Sequence, residues 1–159
     1  MRYIKKNVLT IVLALILIIT SINTPSSYAF WEEKETSFVT TVYNDQNGLP
    51  TGEANTILQT KDGYIWIGSY GGLIKYDGTT FRNYSLEGVI DSSSIRSLYE
   101  DSQGRLWIGT NDKGAIVKID NDFIPISGPD NHSFLCIRDF VETSDGTIYA
   151  ASSSGIAKL

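Results

Sequence analysis

The chain repeats itself at a fixed interval, and this constrains its fold more than any other feature. The stretch "GYIWIGSYGG" beginning at Gly63 returns as "GRLWIGTNDKG" beginning at Gly104. Gly63 and Gly104, Trp66 and Trp107, and Gly68 and Gly109 are each 41 residues apart. A third copy, "GTIYAASSSG", begins at Gly146, 42 residues further on, with Tyr149 at the tryptophan position and Ala151 at the second glycine. Sequence periods of roughly 20–50 residues mark modules that cannot bury their apolar faces alone and therefore stack on one another.

Within each period the residues spell strands and turns. "ANTILQT", "YIWIGSY", "LIKYD" and "FRNYS" are short runs rich in β-branched and aromatic residues, separated by "KDG", "GG" and "GTT". The second copy repeats the order as "SIRSLYE", "RLWIGTN", "AIVKID" and "FIPIS". Asp-Gly and Gly-Gly supply the positive φ angles of tight hairpins. Four antiparallel strands per 41 residues is the size of one β-propeller blade, so the spacing predicts an all-β chain of propeller blades. The expected blades are 54–85, 94–127 and a truncated 133–159, with turns at 61–63, 102–104 and 144–146. Trp66, Trp107 and Tyr149 are expected to pack between sheets, and Gly68 and Gly109 to permit close approach of a neighbouring strand.

Two arguments bear on the ends of the propeller. Tyr43 precedes Gly63 by 20 residues, as Tyr84 precedes Gly104, so "SFVTTVY" at 38–44 has the register of a last strand whose blade is not in front of it. It is expected to close a ring with strands from elsewhere, removing an exposed edge. Leu159 has the register of Tyr76, inside a third strand. The chain is accordingly expected to be the N-terminal portion of a longer protein that supplies the remaining blades; a short secreted protein that assembles several copies is the alternative.

Residues 1–29 carry Arg2, Lys5 and Lys6, then "VLTIVLALILII", then Ser27-Tyr28-Ala29, the pattern of a cleaved signal peptide. The apolar run is shorter than the roughly 20 residues of a membrane span. Residues 30–37 form a short connecting segment. The leader holds three of the 13 basic residues and none of the 18 acidic ones, so the remainder has a net charge of −8. That balance, without any basic cluster interleaved with aromatics, argues against nucleic acid as a partner. Cys136 is the single cysteine, which excludes an internal disulfide and a cysteine-based zinc site.

The combination "NGLP…ANTILQTKDGYIWIGSYGGLIKYDGTTFRNY" resembles the two-component regulator propeller repeat, and "SSSIRSLYEDSQGRLWIGTNDKGAIVKID" resembles a second copy. The likeness covers about Phe38 to Leu159. It implies an extracytoplasmic sensor propeller from a membrane-spanning signalling protein, usually one ending in a histidine kinase, a hybrid kinase or a diguanylate cyclase. It further implies a small polar ligand such as an oligosaccharide, a receptor homodimer and no cofactor.

For the ligand, Asn55, Arg96 and Arg138 share one register in the first strand of each blade, the strand nearest the central channel. Two arginines there could hold a carboxylate or sulfate through paired hydrogen bonds, or could serve only as salt-bridge partners of Glu100 and Asp139. No catalytic set is visible. His132, the single histidine, stands in a loop. A lyase or hydrolase would need partners in blades beyond these. Asp120-Asn121-Asp122 replaces the "DGTT" of the previous repeat and reads as a turn rather than a calcium site.

Overall fold

The computed structural model describes residues 38–92, 94–126 and 135–159. The leader at 1–29, the segment at 30–37 and His132 lie outside these residues. Two compact units are distinguished, Met1–Thr40 and Thr41–Leu159. Of the first, Phe38–Thr40 are described, all exposed and without strand structure. Among the described residues the second carries eleven strands: β1 Thr56–Gln59, β2 Ile65–Ser69, β3 Gly72–Tyr76, β4 Phe81–Asn83, β5 Ile95–Glu100, β6 Leu106–Thr110, β7 Ala115–Ile119, β8 Asp122–Ile126, β9 Asp139–Glu142, β10 Ile148–Ser152 and β11 Gly155–Lys158. There is no helix among the described residues.

These strands make three antiparallel meanders, ordered β1-β2-β3-β4, β5-β6-β7-β8 and β9-β10-β11. The chain folds into propeller blades. The repeat explains the turns between first and second strands. Gly63, Gly104 and Gly146 occupy one turn position at φ of 90°, 79° and 82°, where a β-carbon would be strained. Thr60 and Thr143 each donate a hydroxyl hydrogen bond of 2.5 Å to the aspartate two residues on, Asp62 and Asp145. The second blade inverts the pattern: Asp101 stands at the threonine position and accepts from the Gln103 amide at 3.0 Å.

Alternation along the second strands divides the core. Trp66 lies in an apolar cluster with Leu106, Ile108 and Ile116 of the next blade, whereas Ile67 on the other face meets Leu49 and Ile74. Trp107 likewise clusters with Ile137, Phe140, Ile148 and Ala150 of the third blade. Trp66, Gly68, Trp107 and Gly109 thus form trailing faces, and Leu106, Ile108, Ile148 and Ala150 form leading faces. Burial of side chains such as Leu73, Ile95, Ile108 and Ile137, all fully buried, contributes about 1.5–3 kcal/mol each.

The two glycines set how closely blades approach. A β-carbon on Gly68 would lie 2.7 Å from Ile95 Cγ2, and one on Gly109 would lie 2.8 Å from Ile137 Cγ2. Ile95 and Ile137 are themselves 42 residues apart, so the same isoleucine position fills the same glycine notch at successive junctions. Strand β5 runs beside both β1 and β9, which puts the first strands of the three blades side by side.

The strand expected at 38–44 is not paired: Thr41–Tyr43 belong to no ladder, and Asn44 begins a turn. Strand character in such a segment is a property of its side chains, whereas a ladder needs an edge in the right register. The third sheet has three strands among the described residues.

Candidate functional site

The three residues singled out by register stand at the starts of the neighbouring first strands, all exposed. Asn55 and Arg138 precede β1 and β9, and their amides donate to Gly68 O and Ala151 O at 2.7 and 2.8 Å. Arg96 sits in a β-bulge: Ile95 pairs with Thr110 and Ser97 with Gly109, leaving the arginine between them unpaired. A bulge re-aims the side chain it carries.

Their side chains are differently engaged. Asn55 Nδ2 donates to Ile95 O across the first blade junction at 3.0 Å. Arg96 Nε donates to Asn111 Oδ1 at 2.7 Å, and the same oxygen accepts from Cys136 Sγ at 3.1 Å. Neither arginine takes part in an ion pair among the described residues; those present are Arg82–Glu87, Arg105–Asp101 and Lys113–Asp91. The salt bridges considered for Arg96 with Glu100 and for Arg138 with Asp139 do not form. Among the described residues, no partner engages the Arg138 guanidinium or the two terminal nitrogens of Arg96.

Glu100 and Glu142 are bound instead by backbone. The Glu100 carboxylate accepts the Lys61 amide at 2.9 and 3.2 Å. One repeat later, Glu142 accepts the Ser102 amide at 2.8 Å and the Ser102 hydroxyl at 2.5 Å. Each glutamate ends a first strand and fastens the preceding blade's turn, so these carboxylates are clasps. Gln59, Glu100 and Glu142 share one register, 41 and 42 residues apart, and that spacing is the signal of the clasp in the sequence.

Asp101 is the one buried carboxylate among the described residues. Burial alone would push its pKa up. Hydrogen bonds from the Trp107 indole at 2.8 Å, the Arg105 amide at 2.9 Å and the Arg105 guanidinium at 2.5 Å outweigh that and hold it below the usual carboxylate range. This is a structural group, fixing Trp107 in the junction.

No cluster of three or more metal-ligating side chains occurs among the described residues. Asp120 adopts φ of 53° in a two-residue turn between Ile119 and Asp122, and its carbonyl accepts from Lys118 Nζ. The geometry gives Asp120-Asn121-Asp122 the hairpin role expected of it.

Asn55, Arg96 and Arg138 thus stand at the starts of first strands that lie side by side in successive sheets. Residues 48–71 and 89–112 match the family described as two component regulator propeller. The chain carries two-component regulator propeller repeats. Among solved structures, it is similar to the extracellular domain of the hybrid two component system BT3049 from B. thetaiotaomicron, at 25% identity and a TM-score of 0.59. That match covers 75% of this chain and 16% of the other. The extracellular domain of BT4673 from the same organism shares the fold, at 20% identity and a TM-score of 0.58, over 80% of this chain and 20% of its own. The repeat chain thus spans about a fifth or less of the length of these structures. No curated protein matches it significantly.

Proposed function

We propose that this chain is the extracytoplasmic, ligand-sensing part of a signal-transduction receptor, contributing recognition and no chemistry of its own. The observation that carries this reading is the conjunction of two regulator-propeller repeats with Arg96 and Arg138, whose guanidinium groups stay available at adjacent inner strand ends. The likeness to extracellular domains of sensor systems supports an extracellular or periplasmic location, reached through the leader at 1–29. The ligand is a small polar molecule, an oligosaccharide with a carboxylate or sulfate suiting the two arginines best. Output, by a histidine kinase or diguanylate cyclase, belongs to another part of the receptor. The ligand acts by binding one receptor conformation more tightly than the other, since only that difference can shift output.

A thermal-shift screen of the chain against neutral, carboxylated and sulfated oligosaccharides tests the reading. A binder at 100 times its Kd stabilises the folded state by about 2.7 kcal/mol, and acidic sugars are expected to do so preferentially. Turnover of any of these sugars, or a screen in which none shifts the melting temperature, would contradict it.

A further inference from the structure

The two blade junctions differ in one register. In the second junction Val117 stands across the ladder from Trp107 and Ile124, 5% exposed within the apolar cluster. The same place in the first junction holds Lys75, across from Trp66 and Arg82. Charge at a core register costs free energy unless something compensates it, and two cations directly opposite on neighbouring strands repel. The facing sheet adds a third cation. Lys118, across from Leu106 on the leading face of the second blade, brings its ammonium to 5.8 Å from the Trp66 ring. In a chain with 18 acidic and 13 basic residues, such a convergence is not a default of composition.

Beside these groups lies a cavity of about 180 Å³ lined by Tyr64, Lys75, Asp77, Thr80, Arg82 and Tyr84. Lys75 Nζ is 3.3 Å from the centre of the Tyr64 ring and 5.5 Å from that of Trp66, and the Arg82 guanidinium is 4.8 Å from Tyr84. Ring faces are weak partners for an ammonium with three donors, and among the described residues Lys75 Nζ has no hydrogen-bond acceptor. The nearby carboxylates are committed to other donors. Asp62 accepts the Thr60 hydroxyl at 2.5 Å. Asp77 accepts the Thr79 and Thr80 amides, each at 2.8 Å, and the Thr80 hydroxyl at 2.9 Å. Glu87 holds Arg82 Nε and Nη2 at 2.8 and 2.6 Å, which leaves the other terminal nitrogen of that guanidinium. Lys118 Nζ donates to the Asp120 carbonyl. Burial, with Lys118 and Arg82 close by, holds the Lys75 ammonium below its ordinary pKa despite the opposing charges of Asp62 and Asp77.

We infer that this cavity is a binding site for a small oxyanion: a sulfate, phosphate or carboxylate group, free or carried on a sugar. Lys75 Nζ and the spare Arg82 nitrogen donate to it from the first blade, and the charge of Lys118 attracts it from the second. The anion relieves the repulsion between Lys75 and Arg82 and bridges two sheets. Both walls of this junction are sheets of the chain itself. The site is built on β2, β3, β4 and β7, not on the first strands that carry Arg96 and Arg138, so it does not rest on the sensing role.

The test is thermal unfolding of the full chain titrated with sodium sulfate, phosphate or acetate, or with glucose 6-sulfate. Sodium chloride at equal ionic strength is the reference, because sulfate and phosphate also stabilise proteins by exclusion from their surface. At least one anion is expected to raise the melting temperature saturably. Lys75→Met should weaken that binding about tenfold or more, without lowering the melting temperature in chloride, since methionine returns an apolar side chain to this register. Lys118→Met should weaken it severalfold. The bound anion should also slow acetylation of Lys75, but not of Lys158, by an N-hydroxysuccinimide ester, read by mass spectrometry. Tighter binding of glucose 6-sulfate than of sulfate would assign the group to a sugar, and equal binding to a free ion; both uphold the site. Absence of any saturable shift, or shifts equal in wild type and Lys75→Met, would overturn the proposal. The shift should persist in the Arg96→Ala, Arg138→Ala double variant, which separates this site from the sensing site. Its loss there would put the anion at the inner strand ends and overturn the proposal as well.

Discussion

The carboxylate of Glu142 holds Ser102 by its amide, at 2.8 Å, and by its hydroxyl, at 2.5 Å, tying the third blade to the turn of the second. Glu100 does the same for the amide of Lys61. Replacing Glu142 by alanine removes a charge-assisted acceptor from a partly solvated site and should destabilise the chain by about 1–2 kcal/mol. Glutamine keeps one acceptor oxygen and should recover part of that. Urea unfolding of both variants is the check; an alanine variant as stable as the wild type would show that the clasp contributes nothing.

Gly109 is required by the neighbouring blade rather than by its own backbone angle. A β-carbon there would meet the Ser97 hydroxyl and lie 2.8 Å from Ile137 Cγ2. Gly109→Ala should therefore cost about 1–3 kcal/mol through overpacking. Adding Ser97→Ala removes one of the colliding atoms and should restore part of the loss. Thermal unfolding of the single and double variants measures the coupling, and strictly additive losses would argue against the collision.

Asp101 gives the fold an acid-sensitive element. Its folded pKa is depressed below the usual carboxylate value of about 3.9. Its contribution is therefore complete above that ordinary value and is lost as pH falls through the lower folded one. Melting temperature should drop on acidification below about pH 4, and Asp101→Asn should flatten that part of the profile. Asp101→Ala, which leaves the Trp107 indole and the Arg105 amide without their acceptor, should cost about 3 kcal/mol at neutral pH. A profile unchanged by Asp101→Asn would remove the carboxylate from this role.

Much of the fold was legible because the features that fix it are local and recur. The glycines at 63, 104 and 146 mark turns that need positive φ, and each apolar second strand shows that both of its faces are covered. What escaped was carried between blades. Trp66 and Ile67 are both apolar, and nothing in the strand itself says which faces the next blade. Asp101, in the register of Thr60 and Thr143, brings a carboxylate under Trp107, a contact that the turn's own residues do not announce. The segment at 38–44 reads as a last strand from its register, but pairing depends on an edge that its own repeat does not offer. For the candidate site, shared register found Asn55, Arg96 and Arg138. It did not show that Asn55 is spent on Ile95 O, or that Arg96 is tethered to Asn111.

The claim that the inner strand ends recognise a polar ligand is tested most directly by calorimetric titration of the acidic oligosaccharide giving the largest thermal shift. The wild-type chain is compared with the Arg96→Ala, Arg138→Ala double variant. Loss of two charged hydrogen-bond donors should weaken binding by about 3 kcal/mol or more, over a hundredfold, while the unfolding midpoint stays close to that of the wild type. Affinity unchanged within error, together with a lowered midpoint, would make both arginines structural and contradict the proposed site.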